Sequence, residues 1–245
     1  MHWLEAVQAI FLGIVEGLTE FLPISSTGHL IVAGAVVRFN GEGADTFFVA
    51  IQAGAILAVC WYYRDRIISI LKNLFHPGKD QRLAVNTVVA FIPAALIGLM
   101  LAKAIKMYLF NPVTVAVTLI VGGIVILLVE NINIRKAWTP RVETMDDMTV
   151  KDAFGVGCMQ CLALIPGMSR SGATIIGGMG LGLSRRAATE FSFFLSIPTI
   201  FGATVYDLFK NYESLSVEMG PAILLGGVVS FISAIVVVKW LLAFV

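Results

Sequence analysis

Charge is scarce in this chain of 245 residues: 13% are Asp, Glu, Lys or Arg, against 58% hydrophobic residues, and mean hydropathy is +0.89. A soluble domain of this size could not bury so much apolar surface, which excludes water as the main solvent. Neither sign of charge is in excess, since 17 Lys and Arg face 16 Asp and Glu. That balance excludes the basic field of a nucleic-acid binder and the acidic surplus of a disordered chain. Cysteine is equally sparse. Cys60, Cys158 and Cys161 lie in apolar runs, and an odd number without flanking turn residues makes no disulfide framework. The C-x-x-C spacing of the last two lacks the further Cys or His of a zinc site, so all three read as packing. The apolar N-terminus has no basic n-region and no small-residue cleavage site, and reads as retained rather than as a removable signal peptide.

What the chain does have is long apolar runs. A hydrocarbon core about 30 Å thick takes roughly 20 apolar residues as a helix. Four stretches read as ordinary spans, Thr46–Tyr62, Leu83–Ala102, Pro112–Val129 and Ala187–Phe209, and a fifth is Pro221–Val245. Polar connections, Arg64–Arg82 and Asn131–Asp152, are expected as the main water-exposed loops. The first is the more basic, which places it in the cytoplasm under the positive-inside rule.

Two further apolar segments are interrupted midway. They are Trp3–Val37, around Pro23-Ile24-Ser25-Ser26-Thr27-Gly28-His29, and Ala153–Leu183, around Pro166-Gly167-Met168-Ser169-Arg170-Ser171-Gly172. Proline lacks an N–H and Ser, Thr and Gly favour turns, so a helix should stop at each cluster and restart after it. Such backbone survives at membrane depth only inside protein or against a wet cavity. The two segments also match each other: a shift of 144 sets Ala9 on Ala153, Gly13 on Gly157, Glu16 on Gln160, Ser25 on Ser169, Gly28 on Gly172 and Gly34 on Gly178. Three spans separate them, and an odd number of crossings inverts the second unit. The expected fold is therefore all-α, a polytopic membrane helix bundle with two re-entrant helical hairpins related as inverted repeats. Residues 1–130 would form the first repeat (hairpin 3–37 plus three spans), 131–152 a polar loop, and 153–245 the second repeat (hairpin 153–183 plus two spans).

The two interrupted segments also hold the residues that could do chemistry, in what is expected to be one polar site. Glu16 and Glu20 stand four apart in an apolar run, so both carboxylates leave one face of a helix about one turn apart. Buried acids there call for a cation or a proton, and a magnesium or calcium ion takes such oxygens together with substrate phosphates; a helix end fraying into water is the bland alternative. Ser25, Ser26, Thr27 and His29 follow the break, at a restarting helix N-terminus of the kind that attracts phosphate. A hydroxyl beside a histidine can be an activated nucleophile with His29 as base, although a capping turn with an interfacial histidine has the same spelling. Arg170 offers a planar fork suited to phosphate oxygens, with Ser169, Ser171 and Thr174 as further donors; an internal ion pair to Glu16 or Glu20 remains open. Arg185, Arg186 and Glu190 read as boundary residues, and Phe191, Phe193 and Phe194 as packing or lipid contact.

The run Glu16-Gly17-Leu18-Thr19-Glu20-Phe21-Leu22-Pro23-Ile24-Ser25-Ser26-Thr27-Gly28-His29-Leu30, with Pro166-Gly167-Met168-Ser169-Arg170-Ser171-Gly172-Ala173-Thr174, resembles the undecaprenyl-diphosphate phosphatase family of the bacitracin-resistance type. The similarity covers nearly the whole chain, including Ile92-Pro93-Ala94 and Ser196-Ile197-Pro198-Thr199. It implies hydrolysis of undecaprenyl diphosphate to the monophosphate and phosphate, recycling the lipid carrier for cell-wall polymers and denying bacitracin its target. By match, metal and catalysis fall on Glu16 and Glu20, the reaction centre on Ser26 and His29, and the diphosphate on Ser169, Arg170 and Thr174. The resemblance further implies a divalent cation (Mg or Ca), a polyprenyl diphosphate partner among membrane lipids, no nucleic acid, a multi-pass place in the inner or plasma membrane, and room for a homodimer. The chain departs from the family pattern in ending at Val245, before a third span of the second repeat. An inverted-repeat scaffold also suits a carrier of lipid phosphates or another transporter.

Overall fold

The computed structural model describes residues 2–39, 43–109, 111–136, 139–210 and 219–245. In chain order its α-helices are α1 (Trp3–Thr19), α2 (Ser26–Val36), α3 (Ala44–Tyr62), α4 (Arg64–Asn73), α5 (Lys79–Ala104), α6 (Pro112–Lys136), α7 (Val150–Gln160), α8 (Arg170–Gly180), α9 (Arg185–Lys210) and α10 (Gly220–Phe244). Among the described residues there is no strand, only an isolated bridge between Val142 and Leu183. Among the described residues five helices, α3, α5, α6, α9 and α10, are long and apolar enough to cross a membrane, and they coincide with the five apolar runs. Side chains such as Val113, Ile120 and Leu127 on α6 stand exposed, an arrangement that hydrocarbon tolerates and water does not.

Both interrupted segments break where their proline clusters stand. Helix α1 ends at Thr19 and α2 starts at Ser26; α7 ends at Gln160, a short 3-10 turn follows over Cys161–Leu164, and α8 starts at Arg170. Pro93 and Pro198, by contrast, lie inside α5 and α9, so a proline by itself does not end a helix here. The expected loops are more ordered than their polarity implies. The stretch Arg64–Arg82 folds first into α4, which buries none of its residues, because Ser69 and Asn73 donate to Asp80 at 2.6 and 2.8 Å and turn the chain back. At the second connection α6 continues to Lys136 and α7 starts already at Val150, where Thr149 and Asp152 cap each other.

The chain divides into two compact units. The first joins Met1–Leu22, Ser26–Tyr62 and Ser196–Phe244. In it α1 and α3 both pack on α10, over a core of Ala9, Leu12, Leu30, Phe47, Ile51 and Ala222. Small residues permit the close approach: a Cβ on Gly13 would collide with the backbone oxygen of Gly226. The second unit holds Pro23–Ser25 and Tyr63–Leu195. There α7 packs on α5, and a Cβ on Gly157 would strike the Ala90 oxygen. Phe191, Phe193 and Phe194 are all buried, the first and last in the core of this unit, so packing rather than lipid accounts for them.

One end of the second unit is polar and strapped together. Arg66 pairs with Asp80 at 3.2 Å and with Asp146. Arg141 pairs with Asp152, and Arg185 grips Glu130 with two bonds of 2.7 Å. The backbone of Ser184 donates to Val142 O at 2.8 Å and its hydroxyl to Glu143 O at 2.7 Å, so the segment entering α7 is hydrogen-bonded to the segment leaving α8.

Candidate active site

In the first unit, Glu16 lies on the last turn of α1 and Glu20 caps it in helical conformation, its N–H donating to Glu16 O at 3.0 Å. The two carboxylates are thus one turn apart, as their spacing predicts. Both are buried, Glu16 completely. Six residues after Glu20, at the first position of α2, the Ser26 hydroxyl donates to Glu20 Oε2. A hydroxyl has one proton, and that of Ser26 is directed to the Glu20 carboxylate. His29 sits one turn further along α2 on its exposed side, and Thr27 is half-buried.

In the second unit Ser25 carries a positive φ of 64° and is buried. A non-glycine residue in the left-handed region is uncommon and persists where its surroundings hold it, often at functional sites. Gly167, with φ of 88°, takes the same conformation in the second turn, which α6 clamps through the Thr118 hydroxyl, a donor within 2.7 Å of Pro166 O. Ser169 caps α8, accepting from Gly172 N at 3.0 Å, and its hydroxyl lies 3.0 Å from that of Ser171. The two turns belong together in this unit: Pro23 and Ser25 line the same cleft as Ser169 and Gly172.

Arg170 extends its guanidinium to α9, where Nη1 donates to the Ser192 carbonyl at 3.1 Å. The Ser192 hydroxyl is 2.7 Å from Thr174 Oγ1, which also lies 2.9 Å from Arg170 O one turn back on α8. Thr174 and Ser192 are fully buried. The Thr174 hydroxyl thus ties α8 to α9 beside Arg170. Ser192 escapes a motif search because it lies among phenylalanines at the start of a span. Its signal is periodic: Thr189, Ser192 and Ser196 place hydroxyls on one face of α9, and all three are buried.

Could the carboxylates hold a divalent cation? Among the described residues no group of three or more His, Cys, Asp and Glu comes together. Two buried carboxylates one turn apart do fit a magnesium or calcium ion whose remaining ligands are substrate phosphates and water, and do not make an all-protein cage.

A profile of the family described as Bacitracin resistance protein BacA matches residues 9–245. The chain belongs to this family. A similar protein named undecaprenyl-diphosphatase from Herminiimonas arsenicoxydans is 56% identical over 245 residues, covering all of this chain and 88% of that protein. Another of that name from Janthinobacterium sp. (strain Marseille) is 55% identical over 98% of this chain and 87% of its own length. One from Nitrosomonas europaea is 53% identical over all of this chain and 88% of its own. The family match takes in Glu16, Glu20, Ser26, His29 and the whole arginine turn.

Proposed function

We propose that this chain is an undecaprenyl-diphosphate phosphatase, which releases phosphate from undecaprenyl diphosphate, leaves undecaprenyl phosphate for another round of cell-wall synthesis, and thereby confers bacitracin resistance. The observation that carries the reading is the Ser26 hydroxyl bonded to the buried Glu20 carboxylate at a helix break in a membrane chain. A nucleophile with a base in hydrogen-bond contact is what a phosphoryl transfer to the enzyme needs.

In the reaction so assigned, Ser26 Oγ attacks the terminal phosphorus as its proton passes to Glu20. The bond to the bridging oxygen breaks, and undecaprenyl phosphate leaves with the electron pair. Water then attacks the phosphoserine as its proton passes to His29, Glu20 returns the hydroxyl proton to Ser26 Oγ, and phosphate is freed. Arg170, steadied by Ser192, supplies fixed positive charge to the diphosphate oxygens. The N–H groups at the start of α8 add further donors, with Ser25, Thr27, Ser169 and Ser171 as hydroxyl contacts. His29 is the assigned proton donor to the departing phosphate. A magnesium or calcium ion, for which Glu16 and Glu20 are the candidate ligands, would add neutralising charge.

The surrounding architecture is read as two inverted repeats, each opening with a re-entrant hairpin, in the cell membrane. Three observations support this. Helices α2, α7 and α8 have 11 residues each, about 16 Å of rise, half of what a bilayer crossing takes. The entry and exit of the second hairpin are hydrogen-bonded to each other. Finally, the matched glycines Gly13 and Gly157 make matched contacts, on α10 and on α5, in each case the second long span after the other hairpin.

The test is phosphate release from a long-chain polyprenyl diphosphate in detergent, with and without chelator. Glu20→Gln, Ser26→Ala and Arg170→Ala should each lower kcat by about 10²- to 10⁴-fold while the helical circular-dichroism spectrum is retained. A well-folded parent that releases no phosphate would put the carrier reading ahead.

A further inference from the structure

The second unit contains a cleft of about 680 Å³ whose lining is almost wholly apolar. One wall is α6 from Thr118 to Val129, the other is α8, and the two helices run the same way. At the near end Thr118 bonds to the Pro166 turn, and the cleft meets Ser25 and Ser169. At the far end Val129 of α6 and Leu181 after α8 join one apolar cluster. Between these ends the walls are thinned by glycine: a Cβ on Gly123 or on Gly180 would meet nothing within 4 Å. The cleft is thus an open apolar channel, about as long as the 16 Å rise of α8, that begins at the serines of both turns.

We infer that this cleft holds the isoprene units next to the diphosphate, and that the remainder of the chain passes into lipid; the inference rests on the phosphatase reading above. The occupant follows from the chemistry at the two ends. A polyprenyl diphosphate is an anionic head joined covalently to an apolar, kinked chain, so its site must change from hydroxyls and N–H groups to hydrocarbon within a bond or two of the ester oxygen that joins head to chain. This cleft makes that change at Ser25 and Ser169. Its volume is that of a site for a drug-sized ligand, enough for the first few isoprene units and far too small for a long chain. The enzyme accordingly reads the proximal part of the tail and is indifferent to the distal part.

The experiment places leucine into the open space with Gly123→Leu and Gly180→Leu. The KM for farnesyl diphosphate should rise about tenfold or more, since each buried methylene displaced from an apolar site counts strongly, whereas the Ki of inorganic diphosphate, which has no tail, should stay at the parent value. An unchanged KM, or a Ki that rises in step with KM, overturns the inference. A parent inactive on every diphosphate defeats the phosphatase reading instead, and the cleft is then judged by labelling alone. A farnesyl diphosphate with a photoreactive group on its last isoprene unit should attach to α6 or to the α8–Leu181 segment, and attachment elsewhere would sink the assignment.

Discussion

The Ser26 hydroxyl donates its hydrogen bond to Glu20, and that pairing could not be read from the spelling Ser-x-x-His. The sequence places Glu20, Ser26 and His29 within ten residues, and only the turn geometry decides which base the hydroxyl faces. Legible without coordinates were the burial and shared face of Glu16 and Glu20, because a four-residue spacing in an apolar run fixes both. Ser192 was not, since its partners Arg170 and Thr174 come from a different helix. At the same scale, Asp152 shows how a connection is held. Burial pushes its carboxyl up, but the Arg141 guanidinium and the Thr149 N–H and hydroxyl outweigh that and hold it below its usual value. A lowered carboxyl pKa contributes stability above the unfolded value of about 3.9, and this is lost as pH falls through the lower folded value. Asp152→Asn should therefore lower Tm near neutrality, and the gap from the parent should close as pH is taken to about 3. A gap that does not vary with pH would refute the assignment.

At the scale of elements, small residues set how closely helices meet. Gly13 on α1 and Gly157 on α7 leave no room for a methyl group, whereas Gly123 on α6 faces open space. Gly13→Ala and Gly157→Ala should each destabilise by about 1–3 kcal/mol through overpacking. Gly123→Ala should be neutral or gain up to about 1 kcal/mol from helix propensity. Thermal unfolding in detergent measures all three, and equal effects would show that the glycines are there for another reason. The five spans were legible because about 20 apolar residues have few alternatives in a bilayer. Both helix breaks were legible too, because Pro coincides with Ser and Gly. Helix α4 was not, since its polarity matches a loop and its folding depends on the distant Asp80. Nor was the cleft beside α6, because glycine in an apolar helix looks alike whether it admits a neighbour or faces empty space.

For the whole molecule, the straps at the polar end of the second unit tie the connection before α5, the connection before α7 and the start of α9 to one side. By the positive-inside rule the cations gathered there predict that this side faces the cytoplasm. In a background with Cys60, Cys158 and Cys161 changed to Ala, Asn73→Cys and Thr144→Cys should resist an impermeant thiol reagent in intact cells. Asn111→Cys, at the opposite end of α6, should react with it. The reverse pattern would invert the orientation. The hydroxyl and the carboxylate of the proposed dyad are only six residues apart along the chain, and the turn at Pro23–Ser25 with its left-handed serine alone sets their separation. Inheritance feels this differently at different places. Connections between spans can gain or lose residues as lineages diverge, but a single codon inserted or deleted between Phe21 and Ser25 would rotate the hydroxyl off its base and silence the enzyme without unfolding one span.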